Sequence, residues 1–247
     1  MPESISFDRA VEYYDRTRAL PEETVKRQSA LLDAELRGRG TVLEVGVGTG
    51  RVAVTLDVPI VGIDLSRPMM DVLRTKTTTI PLVHGDATRL PFRDACFGGA
   101  FAAHVLHLIP TWEDALAEMK RVVRPGGVVL AVRGMGSSEV DREMDLPARV
   151  GRTPVGARTV EMIDDGARRL GLAARPLETI TRTLDVNLAN DIQTIRDGIW
   201  SGMWGMTDEE RNEVADGVAA WAVERYGSAD AVVPATSSFT WHAYDVP

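Results

Sequence analysis

The chain has 247 residues, 44% of them hydrophobic, which suits a globular body with a sizeable core and excludes a disordered tail. Its 28 basic and 36 acidic side chains leave a formal net charge of -8, the wrong sign for a surface built to grip phosphate backbones, so nucleic acid is not an expected partner. Cys96 is the single cysteine, so no intramolecular disulfide can form, and a zinc site would have to be assembled from one thiol and four scattered histidines.

The first residues carry no basic stretch followed by an apolar one, and no run approaches the roughly 20 apolar residues that span a bilayer. An unexported cytoplasmic protein without a membrane anchor is expected. Residues 5 to 38 read as a helical extension: Tyr13 and Tyr14 lie in a first segment, and Pro21 opens a second in which Val25, Leu32 and Leu36 recur at helical spacing up to Gly38. Residues 41 to 45 and 60 to 63 are short apolar, β-branched runs, separated by a Gly-rich turn and a brief helical stretch. Val83 ends a third candidate strand, residues 97 to 103 a fourth and 128 to 132 a fifth, with helices near 67 to 76 and 112 to 123 between them. This alternation is that of a parallel α/β sheet.

In the segment 112 to 123, Trp112, Ala115, Leu116, Met119, Val122 and Val123 form one apolar stripe. Thr111 and Asp114 make a capping-box-like start, and Pro125-Gly126-Gly127 the stop. Beyond residue 133 the pattern loosens through a polar, Gly-rich stretch, then resumes with Val160, Ile163, Ala167 and Leu170 up to Gly171. A strand-like run follows at 179 to 186. Residues 188 to 205 and 207 to 226 read as two helices, the second opening with the box Thr207 to Glu210 and closing at Gly227. Residues 239 to 244 alternate like a last strand. With no repeat and no long linker, the chain is expected to be one domain over 1–247, with an extension at 1–38, a core at 40–133 and a helical insertion at 188–226.

Residues 41 to 51 read TVLEVGVGTGR, a strand running directly into Gly46-x-Gly48-x-Gly50. Glycines let the backbone turn sharply and approach a ligand closely, and a following helix offers its N-terminal amides. Asp64 ends the second strand, IVGIDLS, where a carboxylate can accept hydrogen bonds from both ribose hydroxyls of a nucleoside lying across the sheet's carboxyl edge. The other role for Asp64 is to cap the next helix, which Ser66 can also do. In His84-Gly85-Asp86-Ala87, just past the third strand, a carboxylate or the neighbouring amide can meet the exocyclic amine of adenine; an ordinary turn reads the same. Glu44 is an acid in a strand otherwise written in Val and Leu, expensive to bury unless something pairs with it. The ammonium of an amino-acid-bearing nucleoside, a bridging water and Arg51 are the candidates.

The order VLEVGVGTG, IVGIDLS, HGDATRLPF, FGGAFAAHVLHLIP and RVVRPGGVVLAV resembles the class I S-adenosylmethionine-dependent methyltransferases, in particular the group with the ubiquinone and menaquinone C-methyltransferases. The resemblance covers about residues 40 to 133. It implies an α/β Rossmann-like sheet of seven mostly parallel strands in the order 3-2-1-4-5-7-6, the last antiparallel, with helices on both faces. It also implies that Gly46, Gly48 and Gly50 face the methionine portion of the cofactor, Asp64 the ribose, Leu65 and Met69 the adenine edge, and Asp86 with Ala87 the adenine amine. Ala102 and Ala103 would pass under the sulfonium, and Tyr14 resembles an N-terminal tyrosine that closes over the cofactor in some relatives. The chain departs from the family at Phe97-Gly98, where many relatives have Phe-Asp, and lost local hydrogen bonding is expected there. The helices at 188 to 226 fall outside the common core.

Methyl transfer disperses positive charge along a line, so most acceleration can come from holding donor and acceptor aligned and dry. A base matters only if the acceptor loses a proton. His104 and His107, three residues apart after the fourth strand, share a face if that segment is helical; His107 is the first candidate base or orienting group and His104 the second, with structural packing the alternative for both. No third ligand follows at useful spacing, so no metal site is expected. Trp200 and Trp204, with Met203, Met206 and Trp221, are candidates to line a lid over an apolar or aromatic small-molecule acceptor, or to pack two helices together. Two other readings remain: a non-catalytic S-adenosylmethionine-binding protein, and a nicotinamide-dependent oxidoreductase, which usually writes the turn Gly-x-Gly-x-x-Gly.

Overall fold

The computed structural model describes residues 4–132, 138–151, 156–157 and 159–247. The chain opens with α1 (Tyr14–Thr17) and α2 (Glu22–Leu36), then β1 (Val42–Val45), β2 (Ile60–Asp64), α3 (Arg67–Lys76), β3 (Leu82–His84), β4 (Phe97–Ala103), α4 (Trp112–Val122) and β5 (Val123–Val132). There follow α5 (Glu139–Met144), α6 (Leu146–Val150), α7 (Val160–Arg169), β6 (Ala173–Asn187), α8 (Leu188–Arg196), α9 (Asp208–Tyr226) and β7 (Val232–Asp245). The strands form one seven-stranded sheet, order β3-β2-β1-β4-β5-β7-β6. Neighbours from β3 to β5 are parallel, and β7 runs antiparallel to β5. All four residues of β1 are buried, as expected of a central strand covered on both faces.

Most of the chain forms two compact units where the sequence reading expects one domain with an insertion. The first comprises Met1–Gly134, Val155–Ile180 and Thr240–Pro247. In it, period-two alternation along β4 sends Ala100 and Ala102 into a core with Leu116 and Met119 of α4 and Ile163 and Ala167 of α7. Phe101, on the opposite face, meets Trp241 edge-on, and the Trp241 indole donates to Gln28 Oε1 of α2 at 3.4 Å. The second unit, Met135–Pro154 and Thr181–Phe239, has apolar clusters of its own. One joins Met144, Ile192, Ile195, Met203, Ala215 and Val218; another joins Val140, Leu188, Ala222 and Ala235. A self-sufficient core is the physical reason the insertion is a unit in its own right.

Several local expectations change. The Thr111 side chain caps nothing; its carbonyl instead accepts from Asp114 N and Ala115 N. Only a 3-10 turn, Ala53–Thr55, follows the Gly-rich turn, so no helix N-terminus stands behind it. The first inserted helix stops at Arg196, two residues before Gly198 adopts a φ of +63°, and a 3-10 turn at Ser201–Met203 completes the segment. The last two strands are far longer than expected, because hydroxyl pairs such as Thr179–Thr240 and Thr183–Thr236 extend their pairing beyond the apolar residues. The box from Thr207 to Glu210 and the Ser66 cap of α3 both form. Residues 133–137 of the polar stretch lie outside the described residues.

Candidate functional site

The site grows from the carboxyl ends of β1, β2 and β4, where parallel strands stop together and their loops diverge. After Val45 the chain turns at Gly46, with φ +71°; Gly46 N and Val47 N both donate to Ile63 O, at 2.8 and 3.1 Å. A Cβ at Gly46 would lie 2.3 Å from Val105 Cγ2, so both the conformation and the space exclude a side chain. Gly48 N donates to Asp64 Oδ2 and Ser66 N to Asp64 Oδ1, each at 2.7 Å. Asp64 thereby fixes the turn while Ser66 caps α3. Burial raises the Asp64 carboxyl above its ordinary value, and the amides of Ser66, Gly48 and Leu65 partly offset it.

Two cavities flank the turn and share Tyr14, Gly46, Gly48, Ala103 and His104. The smaller, about 90 Å³, is walled by Asp64, Leu65, Met69, Asp86 and Ala87, and by Ile5 and Phe7 from the N-terminal segment. Asp86 Oδ1 accepts from Thr88 N at 2.8 Å, fixing the turn that presents Ala87. The larger, about 180 Å³, is walled by Gln28, Glu44, Thr49 and Arg51. Glu44 is only 2% exposed and its Oε2 atom has no hydrogen-bond partner. Burial first, then the charge on Asp64, hold its carboxyl well above the ordinary range; the Ala53 amide works the other way. Arg51 does not pair with it. Glu44 thus lines a cavity and keeps a buried carboxyl oxygen without a partner among the described residues, a position where a cation would stabilise its charged form.

The N-terminal segment is fastened over these cavities. Ile5 N donates to Leu108 O at 3.1 Å. Asp15 accepts from Thr49 Oγ1 and from Lys76 Nζ, both at 2.5 Å, and Lys76 also donates to Thr49 O at 2.8 Å. Burial opposes the charge on Asp15, yet Lys76 and Thr49 outweigh it and keep the carboxyl below its ordinary value. Tyr14 packs edge-on against Phe7, and Arg51 lies 5.7 Å from the Tyr14 ring centroid.

Of the other expected residues, Ala103 lines both cavities, whereas Ala102, its neighbour on the pleat, points into the core. His104 lines both cavities at a φ of +57°, a left-handed conformation in a non-glycine residue. His107 sits in a 3-10 turn, Leu106–Leu108, where its carbonyl accepts from Gly156 N, and it lines neither cavity. The segment is no α-helix, so the two histidines share no helical face. In the second unit Met203 is core, Met206 and Trp221 pack against that core, and Trp200 is 37% exposed. Gln28 and the Asp15–Thr49–Lys76 clasp escaped the sequence reading, since nothing local marks them. Among the described residues no group of acidic, histidine and cysteine side chains could hold a metal, and no helix is long and apolar enough to cross a membrane.

A family model described as a methyltransferase domain matches residues 43–131, the stretch that carries β1, the Gly-rich turn, Asp64 and β5. Over 131 residues the chain is 34% identical to demethylmenaquinone methyltransferases of Staphylococcus aureus strains, covering 48% of this chain and 54% of theirs. The chain thus spans about half the length of the curated relatives it matches. The fold is shared more widely. The YcgJ protein of Bacillus subtilis aligns with a TM-score of 0.64 at 16% identity, over 92% of this chain and all of the other. A SAM-dependent methyltransferase of Thermotoga maritima gives 0.57 at 21%, over 98% of each. Phosphoethanolamine N-methyltransferase 2 of Haemonchus contortus, solved with S-adenosyl-L-methionine, gives 0.52 at 17%, over 98% of this chain and 60% of the other. The residues that the family model matches include Glu44, Arg51, Asp64 and both candidate histidines.

Proposed function

We propose that the chain transfers a methyl group from S-adenosylmethionine to a small-molecule acceptor. The observation that carries this is the unpartnered carboxylate oxygen of Glu44 on a cavity beside the glycine turn, where an α-ammonium completes the missing ion pair. The residues fit the cofactor along its length. Gly46 and Gly48, which line both cavities, leave room for its methionine portion, whereas Gly50 lines neither and packs against Leu73; Asp64 meets the ribose, Leu65 and Met69 the adenine edge, and Asp86 with Ala87 the adenine amine. Ala103, with the backbone of Ala102, lies under the sulfonium region, and Tyr14 closes over it. When bound, the cofactor supplies an electrophilic methyl group on a sulfonium. The protein's part is to align the acceptor with that methyl and to keep water out, which Ile5, Phe7, Val105, Leu108 and Ile109 serve as apolar walls.

His104, which lines both cavities, takes the role of base or orienting group ahead of His107. Once an acceptor is known, His104→Ala is expected to cut kcat by about 100-fold with less than a threefold change in cofactor affinity, and His107→Ala to leave kcat nearly intact. Equal losses in kcat and cofactor affinity for His104→Ala would remove that role. The single cysteine accords with a cytoplasmic setting.

The deciding experiment is titration calorimetry with S-adenosylhomocysteine, with NADH as the competing class. Saturable binding of the first alone is expected, weakened at least about 30-fold by Asp64→Ala, which removes the ribose contact together with the bond that fixes Gly48. Binding of NADH alone, or of neither ligand, overturns the proposal.

A further inference from the structure

Resting on the cofactor reading above, we propose that residues 4–18 form a strap that must lift for ligand to enter or leave, and that the Asp15–Lys76 ion pair, closed on Thr49, is the latch that sets the rate of that exchange. The strap lies against both cavities: Ser4, Ile5 and Phe7 wall the smaller one, and Tyr14 lines both. Little apolar burial holds it down, since Ala10 is the one buried residue between 4 and 18. A segment with so few buried contacts opens locally at low free energy, so its polar fasteners decide how long it stays shut.

Three fasteners are spread along the strap. At its start Ile5 N donates to Leu108 O, in the turn after β4. Further on, Asp8 accepts from Ser6 and from Ser66, the cap of α3. The third grips the glycine turn itself. Thr49, 1% exposed between Gly48 and Gly50, gives its hydroxyl to Asp15 Oδ1 and its carbonyl to Lys76 Nζ, while Lys76 also donates to Asp15 Oδ2. Lys76 is the last residue of α3, so Asp8 and Asp15 tie the strap to the two ends of one rigid helix. The side chains of Lys76 and Asp15 are 31% and 41% exposed, so water and salt reach the pair and it breaks without unfolding the core.

The test measures association and dissociation rates of S-adenosylhomocysteine by surface plasmon resonance on wild type, Lys76→Met, Asp15→Asn, the double variant and Lys76→Arg. A latch that is shut with and without ligand slows both directions. Each single neutral variant is therefore expected to speed both rates about 5- to 10-fold with Kd within about threefold, the double variant to be no faster than either, and Lys76→Arg to stay near wild type. Raising salt to about 1 M should speed exchange in wild type and leave Lys76→Met unchanged. Exchange in wild type that ignores salt overturns the proposal without any variant. So does a rise in dissociation alone, which is the result if the pair only stabilises the bound state. Failure of wild type to bind S-adenosylhomocysteine instead overturns the cofactor reading itself.

Discussion

Glu44→Gln is expected to raise the melting temperature while weakening S-adenosylhomocysteine binding at least about 30-fold. Burial lifts the Glu44 carboxyl well above its ordinary range, with the charge on Asp64 adding to the effect. A group raised in this way keeps its proton in the folded chain after the unfolded chain has released it. Stability therefore falls as pH climbs from the ordinary carboxylate range through the folded value, and is unaffected below the unfolded value. Glutamine keeps the shape and the acceptor for Ala53 N but carries no charge to desolvate, so the decline disappears. For a chain of this size each kcal/mol recovered raises Tm by about 2–4 °C. The same raised value makes cofactor binding release a proton, because the incoming ammonium favours the carboxylate. Wild-type titrations in buffers of different ionisation enthalpy should reveal that proton, and Glu44→Gln should not show it. A variant that binds like wild type, or that melts lower, would contradict this account of the cavity. Such opposition between stability and binding is the expected mark of a functional charge kept in a core.

Gly98→Asp restores the carboxylate that many relatives carry and is expected to destabilise the chain by about 3 kcal/mol or more, lowering Tm by about 6–12 °C. A Cβ at Gly98 would stand 1.6 Å from Arg39 O and 2.5 Å from its carbonyl carbon. Neither side can give way easily. Arg124 Nη2 donates to that same carbonyl at 2.9 Å, Arg39 Nη1 is tied to Gly126 O at 2.9 Å, and Gly98 N is bound to Thr41 O at 2.9 Å. The departure at Phe97-Gly98, which from sequence looks like a lost hydrogen bond, is thus a close approach between the start of β4 and the turn before β1. A urea midpoint shift worth less than about 1 kcal/mol would show that the turn relaxes freely.

The sequence by itself determined the β–α alternation, the glycine turn after β1, the Ser66 and Thr207 helix starts and the acids at 44 and 64. Each is set by interactions within a few residues: apolar runs, caps, and backbone angles that only certain residues adopt. The resemblance then supplied the strand order, which no local signal carries. Tertiary structure alone decided which of the two histidines reaches the cavity, because the left-handed φ at His104 and the 3-10 turn after it break the periodicity that spacing arguments assume. It also decided that Arg51 leaves Glu44 unpaired, and that Asp15 closes on Thr49 and Lys76, 34 and 61 residues away. Contacts across such separations are fixed by how the sheet and its loops pack, and leave no pattern in the neighbouring residues.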